Sequence, residues 1–311
     1  MPPELRAPTH VLTLMAAPGT PALTEDLIAS LHGIVGDTTN LKWLCAGQSI
    51  DIPLYDRSNA EIEALRGQIA DGLLGRQIDW FLAPAKERRK HLLVADMEST
   101  MIAEEMLEEL AAFIGLRDQV ADITGRAMDG ALDFEAAILE RVALLEGIEA
   151  KLLDELAETH VTYMSGAREL IATMKANGAY CALVSGGFTS FTARVAEELG
   201  FDEHRANTLE IVDGKLTGRV VPPILGRDAK RKSLDDLTDK LGLDLSQAIA
   251  VGDGANDIDM LRAAGLGVAY HAKPRVRDAI AATENGAVID HCDLSALLYV
   301  QGYTTQDIVR S

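Results

Sequence analysis

The sequence has 311 residues, of which 48% are apolar, and a formal charge of −19 at pH 7. This length and composition exclude a disordered chain and suffice for roughly two domains. Because phosphate binding depends on Lys and Arg, the acidic balance argues against nucleic acid or an anionic membrane surface as a partner and favours a small-molecule substrate. No apolar run reaches the length of a membrane-spanning helix.

The three cysteines, Cys45, Cys181 and Cys292, are far apart and form no CxxC pair. This usage predicts neither a disulfide framework nor a zinc site and is typical of a reducing compartment. The apolar run at residues 11–17 is too short and too poorly flanked by positive charge for a signal peptide. We therefore interpret the run as a strand and expect a cytoplasmic protein.

The first part of the chain, residues 1–82, is predicted to be an α+β domain with an antiparallel sheet. It carries no catalytic signature, and a regulatory role is one expectation for it. The prediction depends on an apolar run, a helical stretch and two alternating segments, at 11–16, 23–31, 41–45 and 50–54. A proline and a basic cluster then predict a linker at 83–90. Residues 91–311 form the second predicted domain.

The second domain contains short, continuous apolar runs, which are typical of strands buried on both faces of a parallel sheet. The clearest runs are 91–95, 180–184, 248–251, 267–270 and 287–289. Helix formers between 118 and 160 predict a small helical cap, inserted at about 105–165, between the first two strands. The expected fold is α/β, with a doubly wound parallel sheet, the helical cap and the N-terminal α+β domain.

Polar or glycine-rich residues follow three of these strands directly. They are Asp96 with Glu98, then Ser185-Gly186-Gly187, then Gly252-Asp253-Gly254 with Asn256 and Asp257. Ligands bind beyond the carboxyl ends of strands in open α/β sheets, so the three groups are expected to face one crevice. Asp96 and Glu98 alone would suit an ordinary acidic loop. Together with Lys230, the set supplies a nucleophile, backbone amides, a cation and carboxylates for a metal ion.

In this order the strings DMEST, LVSGGF, a lysine and VGDGANDIDML resemble the four motifs of the haloacid dehalogenase-like phosphatases, and most closely the phosphoserine phosphatase family. The resemblance covers residues from about 90 to 295. The N-terminal unit is similar to an extra domain that precedes the catalytic part in many bacterial members.

The resemblance implies covalent catalysis by Asp96, in which a cation masks the repulsion between the carboxylate and the phosphate. It implies Mg²⁺ held by Asp96, Asp253 and the backbone carbonyl of Glu98, with Asp257 on a metal-bound water. The residues expected to bind the phosphoryl group are Ser185, Gly186 and Lys230, with Asn256 bracing Lys230 or the phosphate loop.

Proton transfer in the family belongs to an Asp at the position of Glu98. The glutamate has a similar intrinsic pKa but is one methylene longer, and catalytic geometry is sensitive to displacements of that size. One interpretation is that Glu98 reaches the leaving oxygen after a small rotamer change. The other is an enzyme that is slowed, re-tuned or redirected.

Substrate recognition is expected in the cap. By resemblance, Glu105 matches the carboxylate that holds the substrate amino group, while Met128, Phe134 and Arg141 match positions that cover the site and bind the substrate carboxylate. Without the resemblance, Glu105 would suit a solvated helix face, Met128 and Phe134 core packing, and Arg141 a pair with Glu140 or Glu146. His271 could approach the crevice, although a structural role is favoured.

The resemblance therefore implies hydrolysis of O-phospho-L-serine to L-serine and phosphate, through an aspartyl-phosphate on Asp96, in serine biosynthesis. One alternative keeps the chemistry but uses another small phosphomonoester, such as phosphothreonine. A second is a catalytically weakened, amino-acid-binding regulator, because Glu98 replaces the usual Asp; the retained Asp96, Lys230 and Asp253 argue against it. The sequence does not determine the oligomeric state, for which a homodimer is one expectation.

Overall fold

A computed structural model describes residues 7–128, 132–226 and 228–310, without the side chains of Ala127, Met128 and Phe134. The strands in these residues are β1 His10–Ala16, β2 Lys42–Cys45, β3 Ser49–Leu54, β4 Ile78–Pro84, β5 Leu92–Ala95, β6 Tyr180–Phe188, β7 Glu203–Val212, β8 Lys215–Val221, β9 Ala248–Gly252, β10 Leu266–Tyr270 and β11 Gly286–Ile289. The helices are α1 Glu25–Val35, α2 Asn59–Leu73, α3 Met106–Phe113, α4 Arg117–Met128, α5 Phe134–Ala143, α6 Lys151–Thr159, α7 Ala167–Ala176, α8 Thr189–Leu199, α9 Ala229–Leu241, α10 Ile258–Ala263, α11 Pro274–Ala281 and α12 Ala296–Tyr299.

The described strands form one sheet in the order β2-β3-β1-β4-β11-β10-β9-β5-β6-β7-β8. From β11 to β7 neighbouring strands are parallel. Alternate residues of β5 enter two separate cores: Leu93 and Ala95 join one, and Leu92 and Val94 join the other. Burial on both faces explains the continuous apolar runs, and the predicted doubly wound α/β fold is confirmed.

The N-terminal strands form the predicted antiparallel part of the sheet, with β1 paired to both β3 and β4. One face is covered by α1 and α2. Helix α2, for which the sequence analysis made no prediction, begins at a capping box of Ser58 and Glu61. Its buried residues Ile62, Leu65 and Ile69 form a narrow apolar stripe on an otherwise polar helix.

The N-terminal strands continue directly into the parallel sheet, because β4 pairs with β11 at Trp80 and Val288. Strand β4 ends at Pro84, so the first two residues of the predicted linker 83–90 belong to a strand. The buried carboxylate of Asp79 accepts hydrogen bonds from the backbone N–H groups of residues 290, 291 and 292 at 2.8–3.0 Å. The division into domains at 82 and 90 stays a prediction.

A second connection is made by Arg88, which lies between β1, β3 and the C-terminal helix α12. Its guanidinium forms an ion pair with Asp51, donates to the hydroxyl of Thr13 at 2.9 Å, and donates to the carbonyls of Tyr299 and Val300 at 3.2 Å. Asp51 and Thr13 are buried. The basic segment is therefore part of a packed junction.

The connection between β5 and β6 contains α3 to α6, which confirms the predicted helical cap as an element of the fold. Strands β9, β5 and β6 are neighbours at the centre of the sheet. Their carboxyl ends carry Asp253, Asp96 and Ser185, so the fold brings the three groups to one edge. Of the helices in the described ranges, none is both long and apolar enough to cross a membrane.

Candidate active site

A buried cluster of charged residues occupies this edge. The carboxylates of Asp96, Asp253 and Asp257 each offer an oxygen within 4.8 Å of the others. Lys230, the second residue of α9, lies between two of them: its Nζ is 2.7 Å from Oδ1 of Asp96 and 2.6 Å from Oδ1 of Asp257. Four residues that were selected from three separate motifs therefore lie together.

Two glycines make this approach possible. A β-carbon at Gly252 would overlap the carboxylate of Asp257, and one at Gly254 would overlap Oδ1 of Asn256. With hydrogen there instead, Oδ2 of Asp257 accepts a hydrogen bond from the N–H of Gly254 at 3.0 Å. The glycines of the GDGAND string thus leave space for the polar side chains that follow them.

The cluster contains more carboxylates than cations. Burial, followed by the neighbouring charge of Asp257, raises the pKa of Asp96 well above its usual value and that of Asp253 to about 6. Burial alone would lower the pKa of Lys230, but Asp257 and Asp96 raise it, so Lys230 is charged. Three buried carboxylates with one lysine, all with oxygen donors, fit a divalent cation, which would remove this repulsion.

The glycine-rich carboxyl end of β6, residues 185–187, lies beside Glu98. The N–H of Gly187 donates to Oγ of Ser185 at 2.9 Å. A β-carbon at Gly187 would be 3.1 Å from that oxygen and 3.2 Å from Oε2 of Glu98, so only glycine leaves both groups their present space. The ladder between β6 and β7 is irregular here, as is common next to active sites.

Glu98 is held by the start of the cap. Its Oε1 accepts a hydrogen bond from the N–H of Met106, the first residue of α3, at 2.9 Å. Burial, followed by the charge of Glu105, raises the pKa of Glu98 to about 7. The extra methylene is therefore accommodated by binding a helix N-terminus, where a carboxylate is favoured.

A cavity of about 170 Å³ opens between the cluster and the cap. Of the residues selected from the sequence, those that line it are Asp96, Glu98, Glu105, Arg141, Gly186, Asp253 and Asn256. Of these, Glu105 and Arg141 lie on the cap side and carry opposite charges. The side chains of Met128 and Phe134 lie outside the described residues.

Glu105 is solvent-exposed but not free, because the hydroxyl of Ser99 donates to its Oε1 at 2.9 Å. Arg141 is partly buried and donates from Nε to the carbonyl of Ala137 at 3.2 Å. Glu140, one alternative partner for Arg141, instead forms an ion pair with Arg126 at 2.8 Å. Arg141 thus lines the cavity while Glu140 pairs elsewhere.

The cavity also contains residues that the sequence analysis did not select, namely Leu107, Glu108, Ile138, Phe188 and Lys273. Lys273 belongs to the same loop as His271, and its Nζ lies 3.9 Å from Oδ2 of Asp253. The ring of His271 instead donates from Nε2 to the carbonyl of Cys292 at 3.0 Å, a structural contact. The position of Lys273 at the end of a buried strand was the available signal.

A parallel sheet with an acidic cluster at its carboxyl edge and a helical cap above it is the architecture of a capped, doubly wound α/β enzyme. The chain belongs to the haloacid dehalogenase-like hydrolases, whose family model matches residues 93–262.

Two curated relatives are similar over most of this chain. A phosphoserine phosphatase of Streptomyces coelicolor is 45% identical over 254 residues, which is 81% of this chain and 60% of the relative. A phosphoserine phosphatase of Mycobacterium tuberculosis is 46% identical over 221 residues, 71% of this chain and 53% of the relative. The matched part of the chain therefore spans less than two thirds of either relative.

Two solved structures extend the likeness to the N-terminal unit. A HAD family hydrolase of Salmonella enterica serovar Typhi superimposes with a TM-score of 0.80 and 28% identity, over 94% of this chain and 98% of that one. A probable phosphoserine phosphatase of Vibrio cholerae gives a TM-score of 0.74 and 29% identity, over 96% and 88%.

Proposed function

We propose that this protein hydrolyses O-phospho-L-serine to L-serine and phosphate, as the final step of serine biosynthesis. The observation that carries the proposal is the charge distribution around the 170 Å³ cavity: Asp96, paired with the buried Lys230 behind it, lines the sheet side, and Glu105 and Arg141 line the cap side. Phosphoserine carries a phosphate, an ammonium group and a carboxylate, which these groups complement. The names of the two curated relatives support the same substrate.

In the first half-reaction, an oxygen of Asp96 attacks phosphorus and the bond to the seryl oxygen breaks. Lys230, the Ser185 hydroxyl and the N–H of Gly186 stabilise the negative charge of the transferring group. Glu98 donates a proton to the leaving oxygen from its place beside the Ser185 loop. Its carboxylate is kept there by the Met106 N–H.

In the second half-reaction, water attacks the phosphorus of the aspartyl-phosphate and Glu98 takes up a proton from it. Asp96 is then released as a carboxylate beside Lys230. Asn256, next to Gly254 at the cavity wall, contacts the phosphate in this scheme. The chemistry requires Glu98 to act as an acid and then as a base.

The metal in this proposal is Mg²⁺, held by Asp96, Asp253 and the backbone carbonyl of Glu98. Asp257 is the carboxylate that both holds Lys230 and faces the metal site, where it would bind a metal-bound water. A bound Mg²⁺ supplies positive charge between the nucleophile and the phosphate, so that two anions can approach.

Substrate selection depends on Glu105 and Arg141. Glu105 pairs with the ammonium group, and the planar guanidinium of Arg141 binds the carboxylate with two hydrogen bonds. Met128 and Phe134 cover the substrate, as the family resemblance implies. A substrate that lacks the ammonium or carboxylate group would leave Glu105 or Arg141 partly desolvated and unpaired. Its transition state is therefore expected to bind less tightly.

We further propose that residues 1–82 form a regulatory domain joined by 83–90 to the phosphatase domain 91–311, and that the protein is a cytoplasmic homodimer. The packed junction at Asp79 and Arg88 suits a unit whose position is fixed relative to the site. Sedimentation of the purified chain tests the assembly. No role for nucleic acid or a membrane is proposed.

The decisive experiment measures phosphate release from phosphoserine with and without Mg²⁺, for the parent protein and Asp96→Asn. Phosphothreonine and phosphoethanolamine serve as matched substrates, since the second lacks the carboxylate. We expect Mg²⁺-dependent turnover that Asp96→Asn abolishes, and a preference for phosphoserine over phosphoethanolamine that Arg141→Met removes. Equal turnover of all three substrates by the parent would indicate that its substrate is a different phosphomonoester. Tight binding of phosphoserine without turnover would indicate an amino-acid-binding regulator.

A further inference from the structure

Asn207 is a buried amide of β7 that contacts two segments of the candidate site. Its side chain is 1% exposed. Nδ2 donates to the carbonyl of Gly186 at 2.9 Å, and Oδ1 accepts from the N–H of Leu225 at 2.7 Å. Nδ2 also approaches the carbonyl of Leu225 at 3.4 Å. Because carbonyls need a donor and an N–H needs an acceptor, these contacts fix the orientation of the amide.

The contact with Gly186 determines the direction of the next peptide N–H. In a planar trans peptide the C=O of Gly186 and the N–H of Gly187 point in opposite directions. With the carbonyl held by Asn207, the N–H is directed to Oγ of Ser185, to which it donates at 2.9 Å. That bond occupies a lone pair of the hydroxyl and leaves its proton for another acceptor.

The contact with Leu225 holds a second segment. Leu225 follows the edge strand β8 and precedes α9, whose second residue is Lys230. One buried side chain therefore links the loop that carries Ser185 with the approach to the helix that carries Lys230. Asn207 does not line the cavity, and its amide is hydrogen-bonded to backbone groups.

We infer that Asn207 is a positioning residue for phosphoryl transfer, which acts by holding the Gly186–Gly187 peptide so that the Ser185 hydroxyl donates to the phosphoryl group. The inference rests on the proposed function, because it assumes that a phosphoryl group occupies the site. Asn207 touches neither substrate nor metal in this assignment. Its effect passes through Ser185.

The first test is the isosteric change Asn207→Asp, which replaces the donor to Gly186 with an acceptor. We expect kcat to fall by about 100-fold with a smaller change in KM, the size expected when a reacting group is displaced by about 1 Å. The matched control is Gln301→Glu, an equally isosteric change at another buried amide, which donates to Leu297 and accepts from Lys90. Its kcat should stay within about threefold of the parent value. An equal loss in both variants would show a general effect of stability.

The second test is a double-mutant cycle with Ser185→Ala, followed by kcat. If Asn207 acts through the hydroxyl, Asn207→Asp should cost less than about fivefold in the Ser185→Ala background. A full, additive loss in that background overturns the inference. Asn207→Ser repeats the cycle without a new charge, in case the aspartate variant does not fold.

Binding of inorganic phosphate with Mg²⁺, measured by calorimetry, separates this inference from the proposed function. If the parent does not turn over phosphoserine, the substrate assignment fails. The double-mutant cycle of Asn207→Asp and Ser185→Ala is then measured by phosphate affinity instead of kcat. An Asn207→Asp loss of affinity of about tenfold that disappears in Ser185→Ala supports the positioning role. Unchanged phosphate affinity together with unchanged kcat contradicts it.

Discussion

Nζ of Lys230 lies 2.7 Å from Oδ1 of Asp96, and the same ammonium group is shared with Asp257. Among the described residues, the three carboxylates of the cluster thus have Lys230 as their buried cation, whereas Lys273, which pairs with Asp253, is mostly exposed. Removal of Lys230 should affect both the chemistry and the fold.

For Lys230→Met we expect a loss of kcat of about 100-fold or more, because the transition state loses a preorganised cation. We also expect the unfolding free energy of the metal-free protein to fall by about 3 to 5 kcal/mol, since buried charges are left unpaired. Urea unfolding and phosphate release measure the two effects. Lys232→Met, on an exposed position of the same helix, is the control and should change stability by about 0.5 kcal/mol or less.

Glu98→Gln keeps an oxygen for the Met106 N–H but removes the exchangeable proton. We expect a decrease in kcat of about 100- to 10,000-fold with little change in stability. Phosphorylated Asp96 should accumulate if dephosphorylation slows more than attack, which rapid-quench kinetics would detect. Glu98→Asp is the second variant to measure. A kcat higher than that of the parent would show that the longer side chain limits proton transfer, and a lower kcat would show that the glutamate held by Met106 transfers the proton better than aspartate.

Gly187→Ala places a methyl group 3.1 Å from Oγ of Ser185 and 3.2 Å from Oε2 of Glu98. We expect kcat to fall by about 10- to 100-fold while the fold persists, since both groups must shift. Gly125→Ala is the control, because a β-carbon there meets nothing within 4 Å in α4. It should raise the unfolding free energy by about 0.5 to 1 kcal/mol without a change in kcat. Normal kinetics in Gly187→Ala would contradict the close packing of this loop.

Arg88→Met leaves Asp51 buried without its ion-pair partner. The expected decrease in unfolding free energy is about 3 to 5 kcal/mol, measured by urea denaturation. Arg89→Met tests the neighbouring arginine, whose ion pair with Asp307 is 3.4 Å long and exposed, and should cost about 1 kcal/mol or less. Similar losses for the two variants would argue against a specific junction at Arg88.

Glu203 gives a pH dependence of stability. Burial acts to raise its pKa, but hydrogen bonds from Lys240, Arg205 and Tyr180 outweigh it and lower the pKa to about 2. A depressed folded-state pKa stabilises the fold above the unfolded value, near 4.5, and this stabilisation is lost as the pH falls towards 2. Glu203→Gln should therefore lower both the melting temperature and the unfolding free energy at pH 7. We expect the free-energy loss to be about 1 kcal/mol or less, because Glu203 and Lys240 are partly exposed. Melting curves at pH 7, 4 and 2.5 should converge, and a constant difference would contradict the assignment.

The parallel sheet could be predicted from sequence because strands such as β5 and β9 are buried on both faces and leave continuous apolar runs. Strand β4 was missed. It contains the charged Asp79, whose burial is explained only by three N–H groups located more than 200 residues later. The hairpin of β7 and β8 was missed as well, since its mixed burial gives no clear alternation.

The catalytic cluster was predictable for a different reason. Asp96 and Asp253 each follow a strand, Ser185 lies near the carboxyl end of β6, and adjacent parallel strands bring their carboxyl ends together whatever the loops do. Lys273 follows β10, the parallel neighbour of β9, and was accessible to the same argument, but Asn207 was not. The contact of Asn207 with Gly186 joins residues 21 apart and depends on the register between β6 and β7, which local sequence does not encode.

Consecutive residues of the loop after β5 bind consecutive residues at the start of α3: Glu98 accepts from the N–H of Met106, and Ser99 donates to Glu105. The loop of the nucleophile is thus tied by two hydrogen bonds to the cap residue proposed to hold the substrate ammonium. A substrate bound to Glu105 would therefore have a set spacing from Asp96. These two hydrogen bonds would then make the site select phosphomonoesters by the number of atoms between the ammonium nitrogen and the phosphorus.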